Sequence, residues 1–229
     1  MIEILGTTRL VGLLGWPVEH SLSPRMQNSA FAALDLDWAY VPLPTSPESL
    51  EEAMRGLVAL GFAGANVTAP HKLAVAALCE TDLPSVNTVV VREGRVKGFS
   101  TDTAVLPGLP CERPVVLGDG GSATAFMQAL PHARSYSRRG EWPPVVGDAD
   151  LVVNATAARD DVLAELDPGQ TLIELPYPET ATATAARRAG ATVVNGLDVL
   201  VAQGAASFEL WTGRRAPIEA MRAAVGLPV

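Results

Sequence analysis

Val115-Val116-Leu117-Gly118-Asp119-Gly120-Gly121-Ser122-Ala123 is the stretch on which the fold turns. A short apolar run ends at a glycine. Three glycines within four positions then lead into Ser122, Ala123 and a helix-compatible segment. The order is strand, tight turn, helix. The spacing satisfies G-x-G-x-x-[GA], and it offers backbone N–H groups and a helix N-terminus to a pyrophosphate.

About twenty residues past the first glycine of such a loop, an acid usually meets a ribose 2′-hydroxyl. Here the chain reads Ser137-Arg138-Arg139. Arginine at that point suits a 2′-phosphate, which points to NADP; a solvated pair of loop arginines is the plainer reading. Asp119 complicates the loop, because a carboxylate near pyrophosphate repels it unless it turns away. Around this core the pattern predicts strands over 115–118, 133–137, 150–156, 171–175 and 192–196. It predicts helices over 122–130, 179–190 and 197–213. The segment 140–147 is too short and proline-rich for a crossover helix, so one face of this sheet is expected to be partly uncovered.

The preceding half reads the same way. Strands are expected over 9–15, 38–43 and 64–68, with helices over 24–34, 46–60 and 70–79, the second capped by Ser46-Pro47. Two runs, 86–92 and 95–99, flank Glu93-Gly94 and predict a hairpin. That register sets Asn87 opposite Ser100 and brings Asp102 to the same end. Pro107, Pro110 and Pro114 mark a linker. Strands alternating with helices give an α/β fold in two lobes.

Composition excludes several classes. The 229 residues are 48% apolar with mean hydropathy +0.21, which argues for a folded core rather than disorder. A net charge of −8 without a basic stripe argues against nucleic acid. No run is long enough to span a bilayer, and Met1-Ile2-Glu3 lacks a basic leader region, so a cytoplasmic location is expected. The two cysteines, Cys79 and Cys111, and the scattered histidines fit no metal spacing, so no metal is expected.

The candidate chemistry lies in Gly15-Trp16-Pro17-Val18-Glu19-His20-Ser21-Leu22-Ser23-Pro24 and Asn66-Val67-Thr68-Ala69-Pro70-His71-Lys72. Each ends an apolar run and opens a helix. Ser21 and Ser23 share a side of an extended segment, and Ser23 could equally cap the helix. Asn66 and Thr68 share a strand face. Lys72 falls in a first helical turn, where the dipole disfavours a cation; it is either functional or a solvated surface lysine. Such groups can grip a small polyhydroxylated ligand and move a proton beside it. Tyr177, between two prolines, is a cleft aromatic or plain packing.

Together these stretches resemble the shikimate dehydrogenase family. The resemblance covers nearly the whole chain and adds Val86-Asn87-Thr88, Ser100-Thr101-Asp102, Asn154-Ala155-Thr156, Gln203 and Phe208-Glu209-Leu210-Trp211-Thr212-Gly213. It implies NADP-dependent reduction of 3-dehydroshikimate to shikimate, a step toward the aromatic amino acids. Quinate or aminoshikimate dehydrogenases, and a non-catalytic shikimate-binding relative, stay open as alternatives. It implies a substrate domain of residues 1–102 completed by helices in 199–229, a shortened Rossmann-like NADP-binding domain of residues 103–198, and an active site between the lobes. Lys72 and Asp102 would be the catalytic pair. Ser21, Ser23, Thr68, Asn87, Tyr177 and Gln203 would meet the substrate. Gly118, Gly120, Gly121, Ser122, Arg138, Asn154 and Thr156 would hold the cofactor. A small-molecule substrate, no nucleic acid or membrane partner, and a monomer or homodimer complete the expectation. The chain departs from the family's usual residues at Ser100, Val105 and Asp119, and it is trimmed around 140–147.

Overall fold

The run Arg9–Gly15 is apolar along nearly its whole length, and a strand of that kind has to lie inside a sheet with both faces covered. In the computed structural model, which describes residues 3–229, it does. Met1 and Ile2, which open the stretch read for a leader, lie outside the described residues. The chain divides into two compact units. The first takes Met1–Thr101 and Val201–Val229, and the second takes Asp102–Leu200.

In the first unit β1 (Arg9–Gly15) is flanked by β2 (Trp38–Pro44) and β3 (Gly64–Val67), both parallel to it. Helices α1 (Ser23–Ala33) and α2 (Leu50–Ala59) make the crossovers. The sheet then turns antiparallel through β4 (Thr88–Arg92) and β5 (Arg95–Phe99), giving the order β2-β1-β3-β4-β5. Glu93 and Gly94 both adopt positive φ, 53° and 75°, as a two-residue hairpin turn requires. Thr88 faces Phe99, so the expected Asn87–Ser100 register holds.

Leu50, Met54 and Leu57 of α2 cover one face of this sheet, over Leu14, Ala65, Val67 and Val89. On the other face Phe31 of α1 packs against Trp38 and against Phe208 of α6 (Gly196–Thr212), with ring centroids 5.5 and 5.3 Å apart. The Trp211 indole N–H donates to the Val89 carbonyl at 3.0 Å. Helix α7 (Ile218–Ala224) packs on α1.

Two local expectations are corrected here. The helix expected over 70–79 is only α3 (Lys72–Ala76), because Glu80 bridges to Lys97 and joins the edge of β5 instead. Ser46 makes no side-chain cap; residues Pro47–Ser49 form a 3₁₀ turn before α2 begins.

The second unit is a five-stranded sheet in which every pair is parallel. Strands β6 (Pro114–Leu117), β7 (Arg134–Tyr136), β8 (Leu151–Asn154), β9 (Thr171–Glu174) and β10 (Thr192–Val194) lie in the order β10-β9-β8-β6-β7. Helix α4 (Gly121–Ala129) follows β6, and α5 (Ala181–Ala189) follows β9. The chain leaves β6 toward β7 and returns to place β8 on the other side. The switch point therefore falls between β6 and β8, where ligands of such sheets bind beyond the strands' carboxyl ends.

No helix joins β7 to β8, as expected, yet the sheet face is not uncovered. Val115, Leu117, Val152 and Leu172 have no exposed surface. Trp142, Val146, Leu163 and Leu166, all on irregular chain, pack over them together with α5. The Gln170 amide ties that cover down, donating to the Val146 and Ala149 carbonyls at 2.7 and 2.6 Å. Apolar side chains cover a sheet equally well from a loop when its carbonyls find donors.

Candidate active site

In the first unit the two polar stretches meet at the carboxyl ends of β1 and β3. The Thr68 N–H donates to the Leu14 carbonyl at 2.8 Å, and the Trp16 N–H donates to Ala69 at 3.1 Å. Gly15 makes the approach possible: a Cβ there would collide with the Thr68 methyl group. Ser23 lies inside α1 and is buried, so it is not the cap. Ser21 supports the turn instead, its Oγ accepting the Ser23 N–H at 3.2 Å.

Lys72 opens α3, and its carbonyl accepts the Val86 N–H at 2.9 Å, tying the helix start to the segment before β4. Beside it His71 is a structural pin. Its buried ring Nε2 donates to the Thr45 carbonyl at 2.7 Å, which assigns the proton to that nitrogen.

Asn87 is buried and held on several sides. Its Oδ1 accepts the Thr101 N–H at 2.7 Å, and its Nδ2 donates to Thr101 Oγ1 at 2.9 Å and to Gln203 Oε1 at 3.5 Å. Behind it stands a buried polar cluster. Ser207 Oγ lies 2.8 Å from Thr88 Oγ1 and 3.1 Å from Thr101 Oγ1. Asn66 Nδ2 donates to Ser207 at 2.9 Å, and the Tyr40 hydroxyl donates to Asn66 Oδ1 at 2.9 Å. The unit thus joins Asn87 to Gln203 and turns Asn66 inward to the cluster. The sequence reading gives no role to Tyr40, Thr101 or Ser207, which complete this cluster. The alternation of Thr88 with Val89 in β4 was the signal: a threonine on a buried strand face needs a polar partner.

In the second unit Gly118 follows β6 with φ +121°, and a side chain there would press on the Ala155 carbonyl at 3.0 Å. Gly120 caps α4 and faces open space, and no acid stands in that helix's first turn, which opens with Gly121 and Ser122. A cavity of about 400 Å³ lies at the switch point, lined by Gly118, Gly120, Arg138, Arg139, Trp142 and Thr156 among others. A glycine turn, a first helical turn without acids and two guanidiniums suit a phosphorylated dinucleotide, while Asp119 brings a carboxylate to the same cavity.

Asn154 does not line the cavity; it is fully buried. Its Oδ1 accepts the Thr156 N–H and hydroxyl at 3.1 and 2.8 Å, and its Nδ2 donates to Glu174 at 2.6 Å. Burial pushes the Glu174 carboxyl up to about 7, against the pull of the Thr180 and Asn154 hydrogen bonds. Arg138 donates to Asp161 at 2.6 Å and lies over the Trp142 ring. Arg139 grips both oxygens of Asp119, which holds that carboxyl below its usual range. Tyr177 is half-buried in the loop after β9, and Asp102 is the buried first residue of this unit.

Among the described residues no cluster of three or more histidine, cysteine or acidic side chains could hold a metal, and no helix is long and apolar enough to cross a membrane.

Two stretches of the chain match models of one known family. Residues 13–89 match the shikimate dehydrogenase substrate binding domain, and residues 196–225 match the shikimate 5′-dehydrogenase C-terminal domain. The shikimate dehydrogenase (NADP(+)) of Anaeromyxobacter sp. (strain Fw109-5) is 40% identical over 277 aligned positions, covering 98% of both chains. Its counterpart in Moorella thermoacetica is 39% identical, covering 96% of this chain and 94% of that one. The crystal structure of shikimate 5-dehydrogenase from Thermus thermophilus, in complex with NADP(H) and shikimate, superposes with a TM-score of 0.84 at 30% identity. It covers 95% of this chain and 98% of that one. With such identity sustained from end to end, the chain belongs to the shikimate dehydrogenase family.

Proposed function

We propose that this protein is an NADP-dependent oxidoreductase that reduces 3-dehydroshikimate to shikimate. One observation carries the reading: in a chain of this family, the polar segments after Gly15 and Asn66 meet at the carboxyl ends of adjacent strands. The first unit is then the substrate domain and the second the dinucleotide-binding domain. The protein works as a soluble cytoplasmic enzyme on a small molecule, as a monomer or homodimer.

When bound, the nicotinamide supplies the hydride to the ring ketone. Ser21, Ser23, Thr68, Asn87 and Gln203 hold the ring hydroxyls and carboxylate, with Tyr177 at the cleft. The cluster behind Asn87 keeps its amide and that of Gln203 from turning away. The Lys72 ammonium, oriented by Asp102, gives a proton to the oxygen that becomes the alkoxide. Such transfers contribute about 10²–10⁴-fold to rate. Gly118, Gly120, Gly121 and Ser122 approach the pyrophosphate, and Arg138 meets the 2′-phosphate. Thr156 lines that cavity and is held by Asn154 from behind.

Lys72→Ala tests the reading. Turnover of 3-dehydroshikimate should fall about 10²–10⁴-fold. Stability should move by no more than about 0.5 kcal/mol. Shikimate binding, measured by calorimetry, should weaken far less than turnover. Unchanged turnover would remove Lys72 from the mechanism.

A further inference from the structure

The charged side chains beside the second unit's cavity are paired off with one another. Arg139 gives Nε and Nη2 to the two carboxylate oxygens of Asp119 at 2.7 and 2.6 Å, while Arg138 gives Nη2 to Asp161 at 2.6 Å. Asp119 stands between Gly118 and Gly120, inside the loop read as the pyrophosphate cradle, and it lines the same cavity as both arginines. Its grip on Arg139 is two-pronged, fork against carboxylate. A guanidinium presents that same fork to a phosphate. A carboxylate and a phosphate arriving at Arg139 therefore ask for the same donors.

We infer that Asp119 is a resident competitor for Arg139, which a 2′-phosphate must displace, and that it narrows this protein's discrimination between NADPH and NADH. The inference rests on the second unit being the dinucleotide-binding one. Breaking the pair is a cost that falls on the 2′-phosphorylated nucleotide alone, since NADH has no group to claim the guanidinium. Repulsion between Asp119 and the pyrophosphate falls on both nucleotides equally and leaves their ratio unchanged. Arg139 keeps the Asp119 carboxyl ionised across the neutral range, so the competitor does not lapse with ordinary changes of pH. Both partners are substantially exposed, with side chains 81% and 40% accessible, and exposed pairs of this kind are weak. The pair therefore yields to a phosphate, and its effect on the ratio is about two- to fivefold.

The test is a fluorescence titration of the purified protein with NADPH and with NADH, needing no turnover. The quantity read is the ratio of the two dissociation constants. Asp119→Ala should raise the preference for NADPH about two- to fivefold, and Asp119→Asn, which keeps the shape, should move it in the same direction. In an Arg139→Ala background the same Asp119→Ala change should leave the ratio where it was, because the contested donors are gone. An unchanged ratio in Asp119→Ala, with both nucleotides still bound, would overturn the inference and leave the cofactor reading intact. So would a shift that persists without Arg139. If neither the parent nor the variants bind either nucleotide, the cofactor reading falls and this inference falls with it.

Discussion

The two units handle polar groups in opposite ways. The first buries them: Tyr40, Asn66, Asn87, Thr88, Thr101 and Ser207 satisfy one another away from solvent. The second leaves its charges at the surface, in the exposed pairs Arg139–Asp119 and Arg138–Asp161. A buried network has one good arrangement, because any other strands a donor or acceptor. Exposed ion pairs exchange partners at little cost. A fixed frame suits a small ring whose hydroxyls must be met at set distances. Exchangeable pairs suit a site whose guanidiniums must let go of one anion and take another. Asp102 and Glu174 are exceptions in the second unit, both buried carboxyls, Glu174 almost wholly so.

The sharpest way to break this contrast is to unpair the buried network. Asn66→Leu keeps the volume and leaves Tyr40, Thr88 and Ser207 each without the partner Asn66 gives them. Stability should fall by about 2–3 kcal/mol, read by urea or thermal unfolding. A loss under about 0.5 kcal/mol would mean that the network is not the rigid frame described here.

Glu174 gives the next effect. Its carboxyl titrates at about 7 in the fold against a usual 4.5. A raised folded value means that its contribution to stability is complete below about pH 4.5 and is lost as pH rises through 7. Glu174→Gln removes that loss and keeps an acceptor for Asn154. The variant should match the parent near pH 4.5 and exceed it by about 3 kcal/mol above pH 7. Parallel unfolding curves at both pH values would contradict this.

Arg138→Ala bears on the exchangeable side. The parent should bind NADP more tightly than NAD, and this change should narrow the preference about tenfold through loss of one charge-assisted contact. Equal affinities in the parent would remove the role given to Arg138. Stability is the smallest expected effect. Because the Arg138–Asp161 pair is exposed, the same substitution should shift it by less than about 0.5 kcal/mol.

Much of this was legible in the sequence because its signals are local. Arg9–Gly15 announced a buried strand, Glu93-Gly94 announced a hairpin and its register, and Gly118 to Ser122 announced strand, turn and helix. What was not legible depends on partners distant in the chain. The shortening of α3 follows from Glu80 joining β5, seventeen residues further on. The cover over the second sheet comes from Trp142, Val146, Leu163 and Leu166, whose spacing has no helical or strand period. Ser207 lies 141 positions from Asn66, and nothing in its own surroundings marks it as part of a site. The resemblance gives Asn154 a cofactor role, and its buried bonds to Glu174 and Thr156, from residues 20 and 2 positions away, have no signal of their own in the sequence.

The proposed dehydrogenase reaction needs both a substrate frame and a dinucleotide site in this chain. Its most direct test is a spectrophotometric assay of the purified protein with shikimate and NADP. Reduced-nicotinamide absorbance should rise in proportion to protein added, and far more slowly when NAD replaces NADP. Shikimate bound in a calorimeter with no NADPH formed at any cofactor concentration would contradict it.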